Sequence, residues 1–344
     1  MTLETSKEKN LRGRTNVMQK SHFKKYLAQF NFSAALIVNC RCISAPQNKM
    51  MMRKFVLLSA LAFVTAALLS YTFKTATPAP LTAQCYISCF SNDVTDLARM
   101  DATNPEFASW HPEPLAFSLA NATGETVNFS TPDGQQGSGY LIKAKKKSKN
   151  YIFVIQEWWG LNDYIKAEVE KLAAEFDNLN VIAIDMYDGK VASTRDSAMK
   201  YMQGATRPRL ESIVNGAIAF AGTDAKIYTV GWCFGGMWSL QASLLAGKQA
   251  AGCVMYYGRP ENNVEKLKTL NCDVIGFFGN LDKGPSPEMV TQFEADMKAA
   301  GKTLLTNRYD AGHGFANPSN PSHNKEATAD AYAKTVAFLK ARIK

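Results

Sequence analysis

From about residue 121 to the end of the chain, short apolar runs rich in β-branched and aromatic residues alternate with longer segments whose apolar positions recur every three to four residues. The short runs, at 126–129, 140–143, 151–156, 181–184, 227–231, 252–257, 274–278 and 304–309, have the length and composition of strands. The longer segments predict helices beginning near Asp163, Arg195, Pro208, Phe234, Pro287 and Lys325. Such alternation is the pattern of a parallel sheet with crossover helices. The expected fold class is therefore α/β: a mostly parallel, doubly wound sheet of about eight strands with helices on both faces. Ligands of such sheets bind beyond the carboxyl ends of the strands, so residues just after strands are where chemistry is to be sought.

Ahead of this region the alternation is lost. Residues 76–120 open with a Pro/Ala/Thr linker and are interrupted by Pro105, Pro112 and Pro114, which reads as an irregular lead-in packed on the domain. Before it, Met52-Arg53-Lys54 precedes an uncharged, mostly apolar run from Phe55 to Ser70. A short basic stretch followed by an apolar core is the shape of a secretory signal, and Tyr71-Thr72-Phe73 extends the run toward a membrane anchor. Residues 51–75 thus predict a signal peptide or signal anchor: an exported protein, periplasmic or extracellular, or one associated with a membrane through residues 55–73, in preference to a cytoplasmic one. Residues 1–50 form a basic tail, which falls outside the mature protein if translation starts at Met50, Met51 or Met52.

The formal charge of +9 does not point to nucleic acid. Residues 1–54 hold 11 of the 39 Lys/Arg and 2 of the 30 Asp/Glu, which leaves the remainder with 28 of each. The body of the protein is neutral and has no compositional basis for a basic stripe. Seven cysteines in 344 residues are not a disulfide scaffold. Cys40 and Cys42 lie in the tail, and Cys85 and Cys89 follow the apolar run, where an oxidising compartment would allow them to pair. Cys253 and Cys272 lie in or beside strand-like runs and read as buried free thiols; the spacings offer no zinc motif.

The strongest motif is Gly231-Trp232-Cys233-Phe234-Gly235-Gly236, between the strand at 227–231 and the helix beginning near Phe234. A Gly-x-nucleophile-x-Gly sequence at a strand-to-helix turn is a nucleophile elbow, lifting the central side chain above the sheet. It places Cys233 at a helix N-terminus, where the dipole favours a thiolate, and makes the backbone N–H of Phe234 the first oxyanion donor. The region after residue 120 contains two histidines. His313, in Asp310-Ala311-Gly312-His313-Gly314-Phe315, follows a strand as a catalytic base must, whereas His323 lies in a polar, Pro-containing loop. The acid that orients the histidine is expected at Asp282, in Gly279-Asn280-Leu281-Asp282 after the preceding strand, with Asp310 as competitor. The order nucleophile, acid, histidine is that of one triad arrangement. Glu157, in Gln156-Glu157-Trp158-Trp159-Gly160-Leu161, is a further acid at a strand end. It reads either as a solvated loop residue or as a carboxylate that governs ionisation of the thiol.

These four regions, in this order over residues 121–344, resemble the dienelactone hydrolase (carboxymethylenebutenolidase) family. The resemblance implies an α/β-hydrolase fold and a Cys233–His313–Asp282 triad working through a thioester acyl-enzyme, without metal or organic cofactor. It implies that Glu157 holds the resting thiol neutral until substrate displaces it, and that the backbone N–H of Trp158 is the second oxyanion donor. For substrate contact it implies Trp159 and an arginine matching Arg195 in Arg-x-x-Ala-x-Lys, with Arg207 and Arg209 as rivals. The pattern is broken after the histidine: Asn317 stands where the family has a second carboxylate-binding arginine, and Gly314 where serine is common. The expected protein is a monomeric hydrolase of a small-molecule ester or lactone. The competing readings are a thiol esterase of unrelated substrate, an exported non-catalytic relative that binds a small ligand, and redox or acyl-transfer chemistry at Cys233.

Overall fold

The structure is a computed structural model that describes residues 110–343. The expectations for the basic tail, the signal or anchor segment, Cys40, Cys42, Cys85, Cys89 and most of the lead-in lie outside the described residues. Among the described residues no helix is long and apolar enough to cross a membrane.

Eight strands form one sheet: β1 (Glu125–Ser130), β2 (Gln136–Ile142), β3 (Tyr151–Ile155), β4 (Asn180–Ile184), β5 (Ile227–Trp232), β6 (Ala250–Tyr256), β7 (Val274–Gly279) and β8 (Leu304–Tyr309). Their order is β1-β2-β4-β3-β5-β6-β7-β8. β2 pairs antiparallel with β1 and β4, and every other pairing is parallel. After β3 the chain winds outward to β4, then returns to place β5 on the other flank of β3. The reversal opens a crevice at the carboxyl ends of β3 and β5.

The helices are α1 (Asp163–Glu175), α2 (Arg195–Gly204), α3 (Arg207–Ala221), α4 (Phe234–Ala246), α5 (Val264–Leu267), α6 (Pro287–Ala299) and α7 (Lys325–Lys340). Their starts follow local chemistry. Asn162, Ser286 and Asn324 each accept a backbone N–H of the first turn of α1, α6 and α7, and Thr194 and Ser197 cap α2 reciprocally. The single-turn α5 was not foreseen, being too short to show a period.

Alternation along the central strands sends side chains to both faces. Phe153 and Ile155 join Ile182, Ile184 and the buried faces of α2, α3 and α4. Ile152 and Val154 join Val181, Ala183 and those of α1 and α7. Eleven of the 13 residues of α4 are buried, and all six of β5. Each large apolar side chain so buried is worth about 1.5–3 kcal/mol. The buried hydroxyls of Thr229 on β5 and Ser239 on α4 are satisfied: Thr229 Oγ1 donates to Ser239 O at 3.0 Å and Ser239 Oγ to Val254 O at 2.8 Å. The turn joining β5 to α4 is thus carried by two almost wholly buried elements.

Candidate active site

The chemistry-bearing residues all follow parallel strands at one end of the sheet. Glu157 lies two residues after β3, Cys233 directly after β5, Tyr257 directly after β6, Asp282 three residues after β7 and His313 four residues after β8.

Cys233 has φ 54° and ψ −117°, a conformation that costs a residue with a side chain about 1–3 kcal/mol. Its neighbours hold it there. The Cys233 N–H donates to Tyr256 O at 3.0 Å, and Met237 N–H donates to Cys233 O at 3.1 Å. A Cβ on Gly231 would meet the Gly235 carbonyl, and one on Gly235 would meet the carbonyls of Ile155 and Gln156. These glycines let the helix start close against β3 and leave the thiol at the head of α4.

His313 Nε2 lies 3.2 Å from Cys233 Sγ, and His313 Nδ1 lies 2.8 Å from Asp282 Oδ2. The Asp282 side chain is fully buried and that of His313 nearly so, and Asp282 Oδ1 also accepts the Gly284 N–H at 2.8 Å. With the carboxylate on Nδ1–H, the Nε2 lone pair faces the thiol. Burial disfavours the charged imidazole, but the Asp282 carboxylate and the adjacent sulfur outweigh it and raise the His313 pKa well above its ordinary value. Burial pushes the Cys233 thiol up; His313 and the Phe234 N–H pull it back, and the Glu157 charge adds to the rise. Sulfur, imidazole and carboxylate form one line able to remove a proton from the thiol and hold it. The competitors stand elsewhere: Asp310 Oδ1 accepts from Asn280 Nδ2 at 2.6 Å, and His323 lies in the loop before α7, where burial lowers its pKa.

Glu157 is buried at 8% exposure, which excludes the solvated-loop alternative. Burial raises its pKa against the pull of Tyr257, His313 and Asn317. Tyr257 OH donates to Glu157 Oε1 at 3.0 Å and Asn317 Nδ2 to Oε2 at 2.7 Å. Tyr257 was not foreseen; it reaches the carboxylate from a backbone with φ 35°, unusual for an aromatic residue. Asn317 occupies the position of the missing arginine and faces Glu157. Trp158 is buried with its ring 4.9 Å from that of Trp159. Trp159 shares the walls of a cleft with Glu157, Cys233, His313 and Asn317.

A second cleft over the thiol is lined by Trp110, His111, Cys233, Met237, Tyr257, Arg259, Pro285 and His313 among others. Arg195 begins α2 and is not among the residues that line the two clefts at Cys233. Its rivals are engaged elsewhere. Arg209 bridges Asp133 and Asp188 at 3.0 and 2.6 Å, and Arg207 pairs with Glu211 at 2.8 Å. The arginine that lines the second cleft with Cys233 is Arg259, three residues after β6. Lying directly after a strand and the Tyr256-Tyr257-Gly258 turn was the feature that could have marked it. His111 was overlooked because it precedes the regular pattern. It is buried, with Nε2 3.5 Å from Cys233 Sγ and its ring 4.7 Å from that of Trp158.

Comparison with known proteins bears on the family and the fold. The family model described as the dienelactone hydrolase family matches residues 138–343. A carboxymethylenebutenolidase of a Pseudomonas species is 30% identical over 230 residues, covering 63% of this chain and 94% of the relative. Carboxymethylenebutenolidase 1 of Cupriavidus pinatubonensis is 25% identical over 228 residues, covering 62% and 95%. Among solved structures, a Klebsiella pneumoniae protein assigned as a dienelactone hydrolase superposes with a TM-score of 0.54 at 20% identity, covering 63% of this chain and 99% of that one, which shows a shared fold. The chain belongs to the dienelactone hydrolase family of carboxylic ester hydrolases, with an α/β-hydrolase fold.

Proposed function

We propose that the protein hydrolyses a small carboxylic ester or lactone through Cys233, His313 and Asp282. The observation that carries this reading is the continuous line from Cys233 Sγ through His313 to Asp282, at 3.2 and 2.8 Å, on a strained elbow. His313 Nε2 takes the thiol proton while Asp282 stabilises the imidazolium. The sulfur attacks the carbonyl carbon, and the oxyanion is received by the backbone N–H groups of Phe234 and Trp158. Collapse breaks the C–O bond as His313 gives its proton to the leaving oxygen, so that an alcohol or enol forms, still tethered to the acyl group in a lactone, and a thioester remains on Cys233. A water molecule then gives a proton to His313, adds to the thioester and frees the acid, restoring the thiol.

Glu157 sets the resting state: its charge beside Cys233 favours the protonated thiol, and Tyr257 and Asn317 hold it in place. Arg259 gives the cleft that holds the attacking sulfur a cation, which suits an acyl group bearing its own carboxylate. In this reading Arg259 serves the purpose of the arginine replaced by Asn317, and a dienelactone is the first substrate to test.

The test compares the full chain with Cys233→Ala on a dienelactone and on a neutral aryl ester. Turnover of the dienelactone that vanishes in the variant supports both nucleophile and substrate. Cysteine-dependent turnover of the aryl ester alone keeps the mechanism and removes the dienelactone. Equal rates in both proteins would sink the thiol mechanism.

A further inference from the structure

The esterase reading gives no part to His111, although its Nε2 approaches the same sulfur that His313 faces. Among the described residues, His111, Cys233 and His313 are the one group of three metal-capable side chains whose ligand atoms converge, all within 4.8 Å of one another. The two sulfur–nitrogen distances are 3.2 and 3.5 Å. A tetrahedral zinc ion, with Zn–S near 2.3 Å and Zn–N near 2.0–2.1 Å, sets sulfur and nitrogen about 3.6 Å apart. Both sulfur–nitrogen edges thus stand within a few tenths of an ångström of that value before any ion enters, and a small rotation of the imidazoles toward each other closes the set.

The surroundings keep them there. Asp282 on His313 Nδ1 leaves Nε2 as the ligating nitrogen, the carboxylate–histidine pairing that orients metal-bound imidazoles. His111 is 6% exposed, its ring held at 4.7 Å against Trp158 and 4.9 Å from His313. One thiolate and two imidazoles make a borderline-soft set that suits Zn²⁺ rather than Mg²⁺ or Ca²⁺.

We infer that Cys233, His111 and His313 form a three-ligand site for a thiophilic divalent cation, Zn²⁺ above all, whose occupancy reversibly shuts off the thiol. On binding, the Sγ proton leaves to solvent, one M–S and two M–N bonds form, and no electron is transferred. Water takes the fourth position. The sulfur lone pair and the His313 Nε2 lone pair are then both on the metal, so neither nucleophile nor base is available.

The full chain, stripped with chelator, is titrated with Co²⁺ and followed by thiolate-to-cobalt charge-transfer absorption and tetrahedral d–d bands. Zn²⁺ then displaces the Co²⁺ and gives its affinity by competition. The expected result is one equivalent of Co²⁺, a charge-transfer band lost in Cys233→Ala, and a Zn²⁺ affinity at least tenfold weaker in His111→Ala and His111→Gln. Thermal melts identify a variant that has not folded, and the glutamine variant, closer in size, decides if alanine fails. No charge-transfer band in the wild type, or unchanged Zn²⁺ affinity in a folded His111 variant, overturns the site. The absorption readout needs no turnover, so a chain that binds Co²⁺ but hydrolyses no ester would reject the esterase reading alone. Where an ester is turned over, its rate falls with Zn²⁺ occupancy and returns with chelator.

Discussion

Asn317 and Glu157, 160 residues apart in the chain, are joined by a 2.7 Å hydrogen bond in which the amide Nδ2 donates to the carboxylate Oε2. The side chain that breaks the expected arginine pattern has become a support for the buried acid beside the thiol. Asn317→Leu removes one of the two side-chain donors to Glu157, and a buried acceptor left unpaired costs about 1–3 kcal/mol. Burial already raises the Glu157 pKa in the folded protein, so the folded state binds more protons there than the unfolded state, and stability falls as pH rises through that interval. Losing the amide raises the folded pKa further. The variant's deficit in thermal melts should therefore grow from acid to neutral pH, over a constant loss from the Ser319 hydrogen bonds to Asn317 Oδ1. A deficit independent of pH would show that Asn317 does not act on the carboxylate.

Asp282→Asn tests the orienting acid. The side chain keeps its shape in a fully buried position, but His313 loses the charge that stabilises its imidazolium and the acceptor that selects its tautomer. Ester turnover should fall on the order of 10³–10⁴-fold, with the loss in kcat rather than KM. Circular dichroism should match the wild type. A loss smaller than tenfold would move the orienting role to another residue.

Arg259→Met keeps a long side chain in the cleft and removes its charge. A charge-assisted hydrogen bond is worth about 1.5–3 kcal/mol, or roughly 10- to 100-fold in binding. KM for an ester carrying a carboxylate in its acyl group should rise by that factor, with little change for a neutral aryl ester. Equal effects on both would mean that Arg259 shapes the cleft without reading charge.

Gly235→Ala asks how tightly the elbow is built. The new methyl meets the carbonyls of Ile155 and Gln156, and backbone cannot yield as a flexible side chain does. Overpacking of this kind costs about 1–3 kcal/mol. A lowered Tm with weakened turnover is expected, whereas Gly204→Ala, at the exposed end of α2, where a Cβ has open space and φ is not positive, should cost less. Equal costs at both positions would show that close approach does not decide the elbow.

What was legible in the sequence is what repeats or is locally coded. Every strand and all helices longer than one turn announced themselves by period. The Cys233, Asp282 and His313 positions followed from glycine-rich turns after strands. What escaped depends on contacts between distant segments. His111 precedes the regular pattern by ten residues and reaches the thiol through the fold alone. Tyr257 resembled an ordinary strand-end aromatic, and nothing local says that its hydroxyl meets Glu157. Spacing along α2 pointed to Arg195, and nothing local announced that Arg259, just past the end of β6, lines the cleft at the thiol.

The proposed control of the thiol by Glu157 can be read without substrate. The Glu157 charge is one of the influences that raise the Cys233 pKa, after burial. Glu157→Gln keeps the shape and removes the charge, so the thiolate should form at lower pH. Alkylation of Cys233 by iodoacetamide, followed across pH by mass spectrometry, should show a midpoint moved downward. Since one pKa unit is a tenfold change in thiolate at a given pH below the midpoint, alkylation at neutral pH should quicken by several-fold up to about tenfold. At pH values where Glu157 is itself protonated in the wild type, glutamate and glutamine are electrostatically alike and the two profiles should converge. A midpoint that moves upward, or a uniform offset without convergence, would show that Glu157 acts on the thiol by packing and not by charge.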